Sequence, residues 1–183
     1  MLKILQKENP ILRGVAHTVP HADITIPKIQ NILTRMKKVL AAQKDGIALA
    51  APQIGVPLRI FIVSGKVFED RNDEAAATPA DLVFINPKIT KLSQKKELLN
   101  EGCLSVRHWY GKVKRSVKAT VQAKDEKGKR FQRGGSGLLA QIFQHEIDHL
   151  DGVLFIDKAK ELQEIKPETK IAKKVDPDSG QTR

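Results

Sequence analysis

Two histidines four residues apart, His145 and His149, enclose Glu146 and Asp148 in the segment His145-Glu146-Ile147-Asp148-His149. On a helix, residues four apart lie one above the other, so both imidazoles project from one face and can grip one ion. Glu146 sits on the turn between them. It is close enough to handle a proton on ion-bound water but too far round to be a third ligand. A plain polar helix face would also contain such residues, but the neighbours here are strongly apolar, where unpartnered histidines are costly to bury. A catalytic centre of this type takes three protein ligands and leaves a fourth position open. His17, His21, His108 and several carboxylates are candidates for the third. Cys103 is the better one. It stands in Glu101-Gly102-Cys103-Leu104-Ser105, where glycine lets backbone approach a site closely. One thiolate with two imidazoles is a borderline-soft donor set that suits Zn²⁺ or Fe²⁺.

The paired histidines need a helix, and the sequence supplies one over Gly137 to Leu150. Leu138, Leu139, Ile142, Phe143 and Leu150 form a wide apolar stripe, with Ser136 as N-cap. A second, amphipathic helix is expected over Pro27 to Lys44, with Ile29, Ile32, Leu33, Met36 and Leu40 on one face and Asp45-Gly46 as its stop. Leu58 to Val63 reads as a buried strand, and Leu82 to Ile85 as another that ends at Asn86-Pro87. Gly65 to Asp81 reads as a surface loop. From Val113 to Lys124, apolar residues alternate with lysines, which predicts one long antiparallel strand wet on one side. Asp125 to Gly128 should turn it back into a strand over Lys129 to Gln132. A last short strand is expected over Val153 to Ile156. The fold class is α+β, antiparallel strands packed around the central helix that carries the histidines. Residues 1–157 form the expected catalytic domain, and 158–183 a short helix followed by a disordered tail.

Composition excludes some classes of function. The chain has 183 residues, 40% of them apolar, and no uninterrupted apolar run long enough to span a membrane. Its first ten residues, MLKILQKENP, are too polar for a secretory signal core, so a cytoplasmic location is expected. The single cysteine rules out an intramolecular disulfide. The net charge is +11, and the span from Lys88 to Arg133 holds fourteen Lys and Arg against four Asp and Glu. Such a surface favours encounters with polyanions, RNA included, although solubility alone also accounts for it. Aromatic residues are few there (Trp109, Tyr110 and Phe131), so neither a base-stacking platform nor sequence-specific nucleic-acid recognition is indicated.

Three segments in order resemble the peptide deformylase family: Gly46 to Gln53 (GIALAAPQ), Glu101 to Ser105 (EGCLS) and His145 to His149 (HEIDH). The resemblance covers Met1 through Asp157. It implies hydrolysis of the formyl group from the N-terminal formyl-methionine of newly made polypeptides, with release of formate. Cys103, His145 and His149 would hold one Fe²⁺, with Zn²⁺ or Ni²⁺ as substitutes, and a thiolate beside Fe²⁺ implies sensitivity to oxygen. Glu146 would accept water's proton, while the Gln53 amide and the Leu104 N–H would stabilise the oxyanion. Ile47, Leu138 and Ile142 would line the methionine pocket, and the backbone of Ile47, Ala48 and Gly102 would hold the peptide as an added strand. Nascent chains and the ribosome surface near the exit tunnel are the implied partners of a monomer. Two positions depart from the family pattern. Ala48 stands where glycine is usual, which strains the backbone if φ is positive and otherwise only narrows the cleft. Arg107 to Gly111 (RHWYG) replaces a proline-containing turn, leaving Trp109 and Tyr110 either beside substrate or in local core. A binding protein on the same scaffold and a protease cutting internal peptide bonds are the competing readings. The Glu146 carboxylate argues against the first and the cysteine ligand against the second.

Overall fold

The computed structural model describes residues 3–68 and 78–165. Helix α1 (Pro27–Ala41) buries Ile29, Leu33, Met36, Val39 and Leu40, and Pro27 opens its first turn. It stops at Ala41, earlier than the expected Asp45-Gly46. The Gln43 backbone N–H bonds the Leu40 carbonyl at 2.9 Å, and its side chain reaches the Val39 carbonyl at 3.3 Å, so a side-chain cap ends the helix. Gly46 serves a different purpose. A Cβ there would lie 2.8 Å from the Gln43 Cβ and 3.0 Å from the Leu40 Cδ1, so glycine permits a close approach to the helix end.

Among the described residues eight strands follow: β1 (Ala48–Ala50), β2 (Ile60–Val63), β3 (Leu82–Leu92), β4 (Lys96–Cys103), β5 (Val106–Ser116), β6 (Lys118–Lys124), β7 (Arg130–Ser136) and β8 (Lys160–Glu164). They form a five-stranded sheet in the order β1-β2-β3-β6-β7 and a three-stranded sheet in the order β4-β5-β8, antiparallel throughout. Helix α2 (Gly137–Leu150), with the expected bounds, lies between them. One of its sides packs Ala140, Phe143, Ile147 and Leu150 against Phe61, Phe84, Ala119 and Val121 of the larger sheet. There the Phe61 and Phe84 rings stack with centroids 4.4 Å apart. Helix α1 joins the second cluster, with Leu49, Ile60, Ile62, Val83 and Ile85. The α+β class and its central helix are as the sequence predicts. Ser136 occupies the N-cap position of α2, but its side chain makes no capping bond.

Four expectations need correction. The long strand from Val113 to Lys124 is two strands in two sheets. At the break, Gln144 of α2 replaces a strand neighbour: its Oε1 accepts from the Ser116 N–H at 3.0 Å and its Nε2 donates to the Ser116 carbonyl at 2.9 Å. Strand β3 does not end at Asn86-Pro87. It runs on to Leu92 through a register shift, with Asn86 in the left-handed region (φ 52°) and its amide bonded to both backbone groups of Val19. A bulge is where a strand tolerates a proline that lacks an N–H. The strand expected at Val153 to Ile156 is a loop leading into a 3-10 turn, Phe155–Asp157. After Lys158 the chain is strand β8 paired with β5, where a helix was expected. The tail expected to be disordered, and residues 69–77 of the expected surface loop, lie outside the described residues.

Candidate metal centre

Cys103 ends β4, an edge strand of the smaller sheet, and the chain turns at once into β5. That turn aims the Cys103 sulfur at α2. Sγ lies 3.1 Å from His149 Nε2, and donor atoms of Cys103, His145 and His149 lie within 4.8 Å of one another. The structure groups Cys103 with this pair, and groups none of His17, His21 and His108 with it. The His145 ring is oriented from behind, its Nδ1 3.0 Å from Glu101 Oε2, which leaves Nε2 toward the sulfur. A carboxylate behind a ligating histidine fixes its tautomer and raises its basicity.

Glu101 is held in turn by Arg115, whose Nε and Nη2 donate to its two oxygens at 2.7 and 2.9 Å. Arg115 also reaches Asp148 at 2.6 Å, and Asp148 accepts from Lys158 at 2.7 Å. Both Glu101 and Arg115 are almost fully buried, at 5% and 4% exposure. Burial alone would push the Glu101 carboxyl up, but hydrogen bonds from Arg115 and His145 outweigh it and hold the carboxyl at about 2. Burial likewise works against a Cys103 thiolate. The neighbouring His149 and His145 override it and bring the thiol down to about 5. His145 is raised well above its ordinary value: its bonds to Cys103 and Glu101 overcome desolvation. Glu146 goes the other way, pushed up to about 7 chiefly by burial.

These observations test the site for a cation. The sulfur is disposed to ionise, two imidazole nitrogens converge on it, and Glu146 Oε2 is buried without a hydrogen-bond partner among the described residues. A soft-to-borderline divalent ion fits that donor set. Gln53 adds a polarised amide. It sits in the 3-10 turn Ala51–Ile54, where its Oε1 accepts from the Ala50 N–H at 2.8 Å. Its Nε2 therefore faces the site, 3.1 Å from Ser105 Oγ and 3.6 Å from Cys103 Sγ.

A cleft of about 330 Å³ opens over the centre. Ile47, Ala48, Gly102, Leu104, Leu138 and Ile142 all line it, together with Gln53 and Glu146. Ala48 is not among the residues with positive φ, so its methyl narrows the cleft without straining the backbone. β1 and β4 are each the edge of a sheet, and both edges face the cleft. The RHWYG segment is part of strand β5, and both Trp109 and Tyr110 border the cleft. Trp109 packs with Leu12, Val106 and Phe155 beneath the Lys7 ammonium, and Tyr110 lies exposed on the cleft wall against Gly102. Sequence reasoning missed Glu101, Arg115 and Ser105 as site residues. Glu101 and Ser105 had a signal, as the ends of the EGCLS segment. Arg115 had a fainter one, its place in the alternating register of Val113 and Val117, on the buried face.

A family profile described as polypeptide deformylase matches residues 1–164. The chain is 45% identical over 158 residues to a peptide deformylase of Thermomicrobium roseum, covering 86% of this chain and 85% of the relative. It is 38% identical over 170 residues to the chloroplastic peptide deformylase 1A of Solanum lycopersicum, covering 86% of this chain but only 59% of that longer relative. Among solved structures, the class I type b peptide deformylase of Acinetobacter baumannii with Met-Ala-Ser bound is similar, with a TM-score of 0.76 and 28% identity. That match covers 86% of this chain and 98% of the other. Fold, donor set and relatives agree: the chain belongs to the polypeptide deformylase family, hydrolases that remove the formyl group from the N-terminal methionine of nascent polypeptides.

Proposed function

We propose that this chain deformylates N-formyl-methionyl peptides in the cleft between β1 and β4, with Cys103, His145 and His149 holding one Fe²⁺, replaceable by Zn²⁺ or Ni²⁺. The convergence of one sulfur and two imidazoles beside a buried carboxyl carries this reading. When bound, the cation supplies Lewis acidity, polarising a carbonyl and lowering the pKa of water to about 7.

The chain's own residues do the rest. An incoming peptide adds a strand between the two sheet edges, using backbone groups of Ile47, Ala48 and Gly102. Its methionine side chain enters the apolar pocket of Ile47, Leu138 and Ile142, and the Met-Ala-Ser bound to the Acinetobacter baumannii protein supports a methionine at this end. Glu146 takes the proton of the attacking water and delivers it to the peptide nitrogen. The C–N bond breaks, and formate and a free amine leave. A carboxyl poised near neutrality suits both transfers. As charge builds on the formyl oxygen, Gln53 Nε2 and the Leu104 N–H donate to it, and the bond fixing Gln53 Oε1 orients the Gln53 amide in advance. Glu101 and Arg115 act through His145, as positioning residues.

Purified protein loaded with Fe²⁺ under anaerobic conditions should release formate from N-formyl-Met-Ala-Ser. Glu146→Ala should lower kcat by about 10²–10⁴-fold while its metal content stays at one ion per chain. No formate from metal-loaded wild type would end the reading. The protein acts in this view as a cytoplasmic monomer beside the ribosomal exit tunnel. The strong positive charge supports that location, and salt-sensitive co-sedimentation with ribosomes checks it.

A further inference from the structure

The two faces of the larger sheet are covered unequally. Helix α2 covers one face along β6, through Ala119, Val121 and Ala123. Helix α1 covers the other face over β1, β2 and the first half of β3, where Leu49, Ile60, Ile62, Val83 and Ile85 meet its stripe, and beyond these it reaches the turn after β6, where Gln30 and Lys37 bond Glu126. Beyond that half, the register fixes what the open face presents. Lys118, Thr120, Gln122 and Lys124 point away from the α2 side of β6. Opposite them stand Lys91 and Lys88 of β3, and Ser136, Gly134, Gln132 and Arg130 of β7. Cross-strand partners share a face, so five cations, Lys88, Lys91, Lys118, Lys124 and Arg130, lie on one surface.

β3, β6 and β7 together contain no Asp or Glu. Among the described residues none of the five cations is paired with a carboxylate, although Lys37, Lys95, Lys112 and Lys158 all are. Solubility does not require Lys124 and Arg130 to stand directly opposite one another, where like charges repel. At the β3 bulge the surface dips into a hollow lined by Asn86, Lys88, Gln122, Lys124 and Arg130. Lys118 to Lys124 spans roughly 20 Å at strand rise, and the three strands add about 10 Å of width. That area is the size of several backbone phosphates, not of one small anion.

We propose that this open face of β3, β6 and β7 binds the phosphate backbone of structured RNA, with the hollow between Lys88, Lys124 and Arg130 seating one phosphate. Charge complementarity selects a polyanion. The open face carries Gln122, Gln132 and Thr120 between its cations and no aromatic ring, so it holds phosphate and sugar without stacking or reading bases. It is built from strands away from the cleft, so its failure leaves the hydrolytic reading untouched.

The test is fluorescence anisotropy of the full chain with a labelled RNA hairpin of unrelated sequence, titrated over a range of salt. Wild type should bind with an affinity that falls steeply as salt rises. Lys88→Ala/Lys124→Ala/Arg130→Ala should weaken binding at least about tenfold and flatten the log–log salt slope by about 1, for the one phosphate seated in the hollow. A control of equal net charge, Lys28→Ala/Lys38→Ala/Lys44→Ala, changes exposed lysines on α1 and just after it. It should bind within a few-fold of wild type, and both variants should release formate as wild type does. Equal weakening in the two triple variants would reduce the effect to net charge and overturn the assignment. So would absence of wild-type binding, or binding to phosphatidylserine vesicles without binding to RNA.

Discussion

Arg115 joins two carboxylates that come from different elements, Glu101 on β4 and Asp148 on α2. Because the pair with Glu101 is buried, removing one partner strands the other charge, which costs about 3–5 kcal/mol. Arg115→Met should therefore lower the urea midpoint strongly and loosen His145, seen as weaker metal retention. The pH dependence has a definite sign. Glu101 is held at about 2 against an ordinary 4.5, so its folded-state pKa is depressed. Its contribution is full above about 4.5 and is lost as pH falls from there toward 2. Urea midpoints of wild type should drop between pH 5 and pH 3 by more than those of Glu101→Gln. Cys103, His145 and His149 were legible because their types and spacing have few other uses. Arg115 was less so: the alternation places it on the buried face with Val113 and Val117, but a guanidinium there has no evident use until its carboxylate partners are known.

At the scale of elements, both helices were legible from a stripe at helical spacing, and α2 to its ends. The division between β5 and β6 was hidden because it leaves the alternating pattern intact. What changes at Val117 is the partner strand, and one glutamine two turns into a distant helix supports that change. Gln144→Leu leaves the buried Ser116 N–H and carbonyl unpaired, at about 1–3 kcal/mol for each group. It should lower Tm by an amount approaching that of Phe143→Ala, a cavity substitution of about 3–5 kcal/mol, although no comparable volume is lost. A shift no larger than that of a surface substitution would show that Gln144 does not hold the junction.

Over the whole molecule, helix α2 fills the core on one face of the larger sheet and is tied to the smaller sheet by the contacts of Asp148 with Arg115 and of His145 with Glu101. The chain should unfold in one transition. Trp109, the single tryptophan, belongs to the smaller sheet, whereas far-UV circular dichroism reports both, so the two signals should coincide in urea. Separate midpoints would mean that the sheets unfold independently. The two-sheet arrangement was not legible, because strand patterns state which face is buried and not which neighbour buries it.

The three donors come from the tip of a hairpin and from a later helix, His149 standing 46 positions after Cys103, atoms that an unfolded chain does not hold together. A cation there would be a staple fastened only in the native chain, and mass action then ties heat resistance to free metal. At a concentration 100 times Kd the gain is about 2.7 kcal/mol. Chelator dialysis should lower Tm, and titrating Zn²⁺ back should restore it in wild type but not in Cys103→Ala. Iron or zinc scarcity would then thin the population of folded molecules as well as idle the survivors.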